Sequence, residues 1–253
     1  MACRMSSVIG RLERELREIF GSRLQSLVVY GERARSVNET NAASTGRRGK
    51  RQPSTAHPVH VLAIVDALSR DDLRACAQHV SAWHAAGAAT PLVLATHDFD
   101  RSLDVFPIEF GAILADHSVI AGANPFERLT VDPGDLRRAI EVQARSHLLH
   151  LREGYIETQG RGDALAVLVL RSAPAFATLI TSIARLEARA SDDAAVAARQ
   201  TGQLLGLDNS IIEQMVGFVG VQKIPSADAD ALFPAYLDAV QRLVDYVDRW
   251  SAP

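Results

Sequence analysis

Strand signals end at Pro133. Before that point short β-branched and apolar runs alternate with helical periods, whereas beyond it apolar residues recur every three or four positions, the spacing of a helix face. A chain that changes period once in this way predicts a sheet-containing part followed by an all-helical part, here 1–128 and 129–253. With 253 residues, neither part needs a covalent staple to build a core. The two cysteines, Cys3 and Cys76, lie in no CxxC or Cys/His spacing, so neither a disulfide framework nor a zinc site is expected.

In the first part, Val8, Ile9, Leu12, Leu16, Ile19 and Phe20 share one helical face and Gly21 supplies a stop. Leu27 to Tyr30 reads as a strand running into a turn at Gly31. Val59 to Val65, VHVLAIV, is apolar on both faces apart from one histidine, which predicts a central strand covered by helices on each side. Ser69 and Asp72 form a capping-box signature ahead of Leu73, Cys76, Val80 and Trp83, and Gly87 closes that helix. Pro91 to Ala95 and Val105 to Ile108 are the next apolar runs, and both are expected to be strands.

The second part predicts a helix from Pro133 to about Tyr155 with proline in its first turn, and another over Asp163 to Ala190 that contains Pro174. Further helices are expected over Ala194 to Leu205, ended by Gly206, and after Asn209. A final amphipathic helix, Ala231 to Trp250, is capped near Ser226 or Asp228 and is suited to packing in the bundle or against a second subunit.

A formal net charge of −3 gives no general attraction to nucleic acid. The basic cluster Arg47, Arg48, Lys50 and Arg51 lies in a polar segment, 36–58, that reads as a mobile insertion loop without the aromatic residues that stack on bases. The start, MACRMSS, meets RLERELRE without the apolar core of an export signal. The apolar run from Ser172 to Ala184 is shorter than a bilayer span. A cytoplasmic protein without membrane or nucleic-acid partners is expected.

The turn LVVYGERAR and the stretch SLDVFPIEFGAILADHSVIAGANPF, Ser102 to Phe126, resemble bacterial proteins of the polymerase-β-like nucleotidyltransferase superfamily. The helical stretch ending LLHLREGYI resembles the domain that commonly follows. The resemblance implies an α+β fold, a mixed sheet flanked by helices, and then an all-α bundle. It also implies a phosphate-binding turn matched here by Gly31, Arg33, Ala34 and Arg35, and carboxylates on neighbouring strands that hold Mg²⁺ for transfer of NMP from an NTP.

Three departures from that pattern stand out. Alignment of HPVHVLAIVD with the family's aspartate-bearing strand puts Pro58 and His60 at the two metal positions. Proline has no side-chain ligand, and imidazole is a poor ligand for a hard cation that prefers oxygen. Glu32 stands where the family has serine, and a carboxylate about 4 Å from a phosphate charge is opposed by roughly 4 kcal/mol at an effective dielectric near 20. The third departure is the 36–58 insertion itself.

Asp104 and Glu109 are the remaining candidates for a third carboxylate, with Asp104 the better placed if DVFPIE is a strand, and Asp66 ends the second strand. His60 with His57 offers two imidazoles and no evident third ligand for a transition metal. Arg145 and His150 have the Arg-x4-His spacing that resembles helical RNases of toxin–antitoxin systems, a spacing that also arises by chance. The expectation is therefore a catalytically inactive nucleotidyltransferase-like protein acting as a binding or interaction module, with no cofactor and with a protein partner or homo-oligomer. The alternatives are an active enzyme with Mg²⁺, NTP and an atypical carboxylate site, and a helical-domain RNase or toxin–antitoxin component.

Overall fold

The structure is a computed structural model that describes residues 2–31, 34, 58–187, 194–207 and 209–251. The chain divides into two compact units, Met1–Thr130 and Val131–Pro253.

The first unit is a four-stranded mixed sheet between helical layers. Helix α1 (Ala2–Phe20) leads through one 3-10 turn into β1 (Leu24–Tyr30), and β2 (His60–Val65) returns antiparallel to it. Helix α2 (Arg70–Ala86) crosses over to β3 (Leu92–Ala95), which runs parallel to β2. Short α3 (Thr96–Asp100) and α4 (Pro107–Ala115) follow, and β4 (His117–Gly122) pairs antiparallel with β1, giving the order β3-β2-β1-β4. The side-chain alternation of β1 and β2 sorts the core into two layers. Leu27, Val29, Val61 and Ala63 face Leu12 and Leu16 of α1 and Trp83 of α2. On the other face Val28, Leu62 and Ile64 meet Phe99, Phe110 and Phe126, whose rings touch edge to face.

The capping box forms as its sequence requires: Ser69 Oγ accepts from Asp72 N at 3.2 Å, Asp72 accepts from Ser69 N at 2.9 Å, and Gly87 ends the helix in the left-handed region. Leu73, expected on the packed face, is 51% exposed. The segment DVFPIE is not a strand. Residues 101–106 form turns and Pro107 opens α4, a position where its fixed φ and missing N–H cost nothing. The fourth strand is HSVIAG instead. Its last residue, Gly122, has φ +78°, and a Cβ there would lie 1.9 Å from the Gln25 carbonyl oxygen, so only glycine allows this approach to β1.

The second unit is all helix: α5 (Pro133–Glu157), α6 (Gly162–Leu186), α7 (Ala194–Leu205), α8 (Asn209–Gly217) and α9 (Ser226–Arg249). Asp132 caps α5 through bonds from the Gly134 and Asp135 amides at 2.8 and 3.1 Å. α6 is long and apolar enough to cross a membrane by length and composition, but Ala173, Phe176, Leu179, Ile180 and Ile183 along it are buried in the bundle. The expected cap of α9 does not form: the helix starts at Ser226 behind Pro225, and no side chain closes its end. The apolar face of α9, from Phe233 through Tyr236, Val240, Leu243 and Val247, is buried within its own unit.

Candidate functional site

The resemblance directs attention to the turn that ends β1. Tyr30 is the last residue of that strand, and Gly31 then adopts φ +75°, a conformation that glycine reaches without a Cβ clash. The Gly31 amide donates to the Asp116 carbonyl at 2.9 Å, and its own carbonyl accepts from Ala34 N at 2.9 Å, with Ala34 fully buried. The turn is thus held on both sides, by β4's approach and by the chain that follows it.

Register decides which side chains meet there. Tyr30 is directly opposite His60 of β2 on one side and His117 of β4 on the other, so His60, Tyr30 and His117 form one row across the sheet. The Tyr30 and His60 rings lie 5.6 Å apart. His117 Nδ1 is 3.0 Å from the Leu114 carbonyl oxygen, which only accepts, so this nitrogen carries the proton. The His117 ring rests 4.8 Å from Phe126. Burial pushes the Tyr30 phenol above its ordinary value, so it remains a neutral hydroxyl.

None of the four strands, LQSLVVY, HVLAIV, LVLA and HSVIAG, carries an acidic side chain. Among the described residues no group of three His, Cys, Asp or Glu is placed to hold a metal ion. Pro58 and His60 both lie exposed at the head of β2, next to the Gly31 turn, where the sequence alignment puts the metal positions. At these two positions the chain offers a proline and an imidazole rather than the carboxylate oxygen that Mg²⁺ prefers.

The other acids stand apart. Asp66 follows the last residue of β2, at the opposite end from His60, about 20 Å away at the rise of a strand. Its amide bonds to the Arg23 carbonyl at 2.9 Å. Asp104 is exposed in the turns before α4, and Glu109 is exposed in the first turn of α4, so the argument from strand alternation does not apply to either. Glu32, Arg33, Arg35, His57 and the basic run Arg47 to Arg51 lie outside the described residues. The acid whose backbone does reach the turn is Asp116, which with His117 was not singled out from the sequence; the signal for them was the alternation of His117 to Gly122 behind a proline-started helix.

In the helical unit Arg145 and His150 are not brought together. Arg145 donates to both oxygens of Asp248 on α9, at 2.7 and 2.6 Å, while the exposed His150 lies 3.4 Å from Glu153 on its own helix. Five residues along a helix is a turn of about 140°, which separates the two side chains. The buried histidine of this helix is His147.

The first unit's strand order and the helical unit that follows it in sequence have a nucleotidyltransferase-like fold. Among solved structures the chain is similar to spectinomycin adenyltransferase AAD(9) from Enterococcus faecialis, crystallised with ATP and spectinomycin: the TM-score is 0.54 at 10% identity, over 96% of this chain and 99% of that one. No protein-family model matches the chain, and no curated protein sequence matches it.

Proposed function

We propose that this protein is a nucleotidyltransferase-fold binding module without metal-dependent transfer activity, acting in the cytoplasm on a protein partner. One observation carries the reading: the row beside the Gly31 turn is His60, Tyr30 and His117, with no carboxylate on any of the four strands. Phosphoryl chemistry of this kind depends on cations that neutralise the triphosphate and lower the barrier to attack, and such cations need negative oxygen ligands on the protein. The atypical enzyme with Glu32, Asp66 and Asp104 or Glu109 has less support. Asp66 sits at the far end of its strand, and neither Asp104 nor Glu109 lies on the sheet.

The direct test incubates purified protein with Mg²⁺ and labelled ATP, alone and with spectinomycin, the ligands found with the structural neighbour. No label is expected on spectinomycin, RNA or protein, and the heat melt is expected to be unmoved by ATP with Mg²⁺. Transfer of label, or a metal-dependent rise of several degrees, overturns the reading, because a ligand that binds the native state must raise its melting point. A restorative variant sharpens the test. Glu32→Ser with Pro58→Asp and His60→Asp should gain a nucleotide-dependent shift.

A further inference from the structure

The bundle leaves one row of apolar side chains that its own packing does not explain. Val142, Leu149 and Ile156 on α5 are 70%, 61% and 75% exposed, and they follow one another at intervals of seven. Leu149 lies on the side of α5 opposite Ile140, Ala144 and Leu151, which are buried, so the row points directly away from the core. A helix needs one apolar face to join a bundle, and α5 has two. A repeat of seven is the spacing that keeps a seam between two helices wound around each other, with a drift of only about 20° per heptad on a straight helix.

The residues flanking the row select what can cover it. Arg145 and Arg152 lie along one side, and Ser146 and Glu153 along the other. A twofold axis parallel to the helix exchanges the two sides at the same height. Arg152 then meets the second copy's Glu153, twice per dimer, and each apolar residue meets its own counterpart. A twofold axis across the helix keeps the sides and reverses the height, which sets Arg152 beside the second copy's Arg145, already bonded to Asp248, and leaves both Arg152–Glu153 pairs unmade.

We propose that the outward face of α5 is the contact surface of a homodimer, in which a second copy lays its α5 parallel and in register, Val142 on Val142, Leu149 on Leu149 and Ile156 on Ile156. The row spans about 21 Å of helix and supplies one apolar residue per heptad rather than two, so the contact is smaller than a standard interface and micromolar in strength. The surface is independent of the sheet end, and its failure would leave the proposed function untouched.

Sedimentation equilibrium of the full chain from about 1 to 100 μM, the range that brackets a micromolar constant, should show monomer and dimer in exchange. Leu149→Glu should weaken the dimer at least tenfold with the melting temperature and circular dichroism unchanged, since the side chain is mostly outside the core. For the arrangement, cysteines are placed singly in a Cys3→Ser background. Val142→Cys and Ile156→Cys should each cross-link to itself under mild oxidation. A full chain that stays monomeric at the top concentration overturns the proposal, as does a Leu149→Glu dimer of undiminished strength. Cross-linking only between Val142→Cys and Ile156→Cys chains overturns it equally, because that pairing requires antiparallel helices.

Discussion

In the α/β unit the most perturbed group, Asp72, is a charged carboxylate held by an arginine, whereas in the helical unit the most perturbed groups, His147 and Tyr236, are buried and neutral. Arg23, in the 3-10 turn just before β1, donates to both oxygens of Asp72 at 2.9 and 2.7 Å, and Ser69 Oγ adds a third bond at 2.7 Å. The Arg23 guanidinium first, and the Ser69 hydroxyl and amide next, hold the Asp72 carboxyl well below the usual carboxylate range. In the bundle the Tyr236 hydroxyl donates to Ser172 Oγ at 3.1 Å, so it must accept from His147 Nε2 at 2.8 Å, and Ser172 passes its proton on to the Val169 carbonyl at 2.9 Å. Burial, with a smaller contribution from His150, lowers His147 to about 4. The contrast places the most perturbed groups on a joint between sheet and helix in one unit and on a knot between three helices in the other.

This difference makes acid act on the two units in separate windows. His147 is neutral in the folded bundle down to about pH 4, whereas an unfolded histidine takes its proton near pH 6.5. The unfolded state therefore binds the extra proton between those values, and stability rises with pH across that window. The helical unit should lose about 3 kcal/mol between pH 6.5 and 4, the largest effect expected here, and His147→Phe should remove that slope. The Trp250 ring, whose Nε1 donates to Glu187 at 2.7 Å, reports this unit by fluorescence, and a helical unit with a flat pH profile would break the comparison.

Asp72 acts lower. Its folded value is depressed, so its contribution is complete above about pH 4, the unfolded value, and is lost as acid protonates the folded carboxylate. The buried Trp83 reports the α/β unit alone in a Trp250→Phe background. There the acid loss should appear only below the histidine window and should shrink in Asp72→Asn. At neutral pH Ser69→Ala should cost about 1 kcal/mol through the lost cap. The smallest effect belongs to the sheet end: His60→Ala should change stability by no more than about 0.5 kcal/mol, because the position is exposed. A fall of several degrees in its melting temperature would mean that the row beside Gly31 is structural rather than a surface open to a partner.

Much of the first unit was legible because its signals are local. The face of α1, the doubly buried β2 and the Ser69 to Asp72 box depend on residues within a turn or two of each other, and each element forms where the pattern puts it. DVFPIE was misread because Val, Phe and Ile suit a strand, while the Pro107 that argued against one could equally open a helix. That error displaced the fourth strand by about ten residues and hid Asp116 and His117 from view. Arg145 and His150 show the same limit in the bundle, since a spacing in sequence says nothing of the acid on α9 that claims the arginine.

The sequence by itself determined the change from mixed to purely helical structure near Pro133, the lengths of most helices, and the residue types available at the head of β2, because periodicity and composition are local properties of the chain. Only the tertiary structure decided that His60, Tyr30 and His117 share a row, that Asp66 lies at the other end of the sheet, that His147 is the buried histidine of α5, and that α5 keeps a second apolar face. Each of these depends on strand register or helix rotation, and those are set by which distant surfaces pack together.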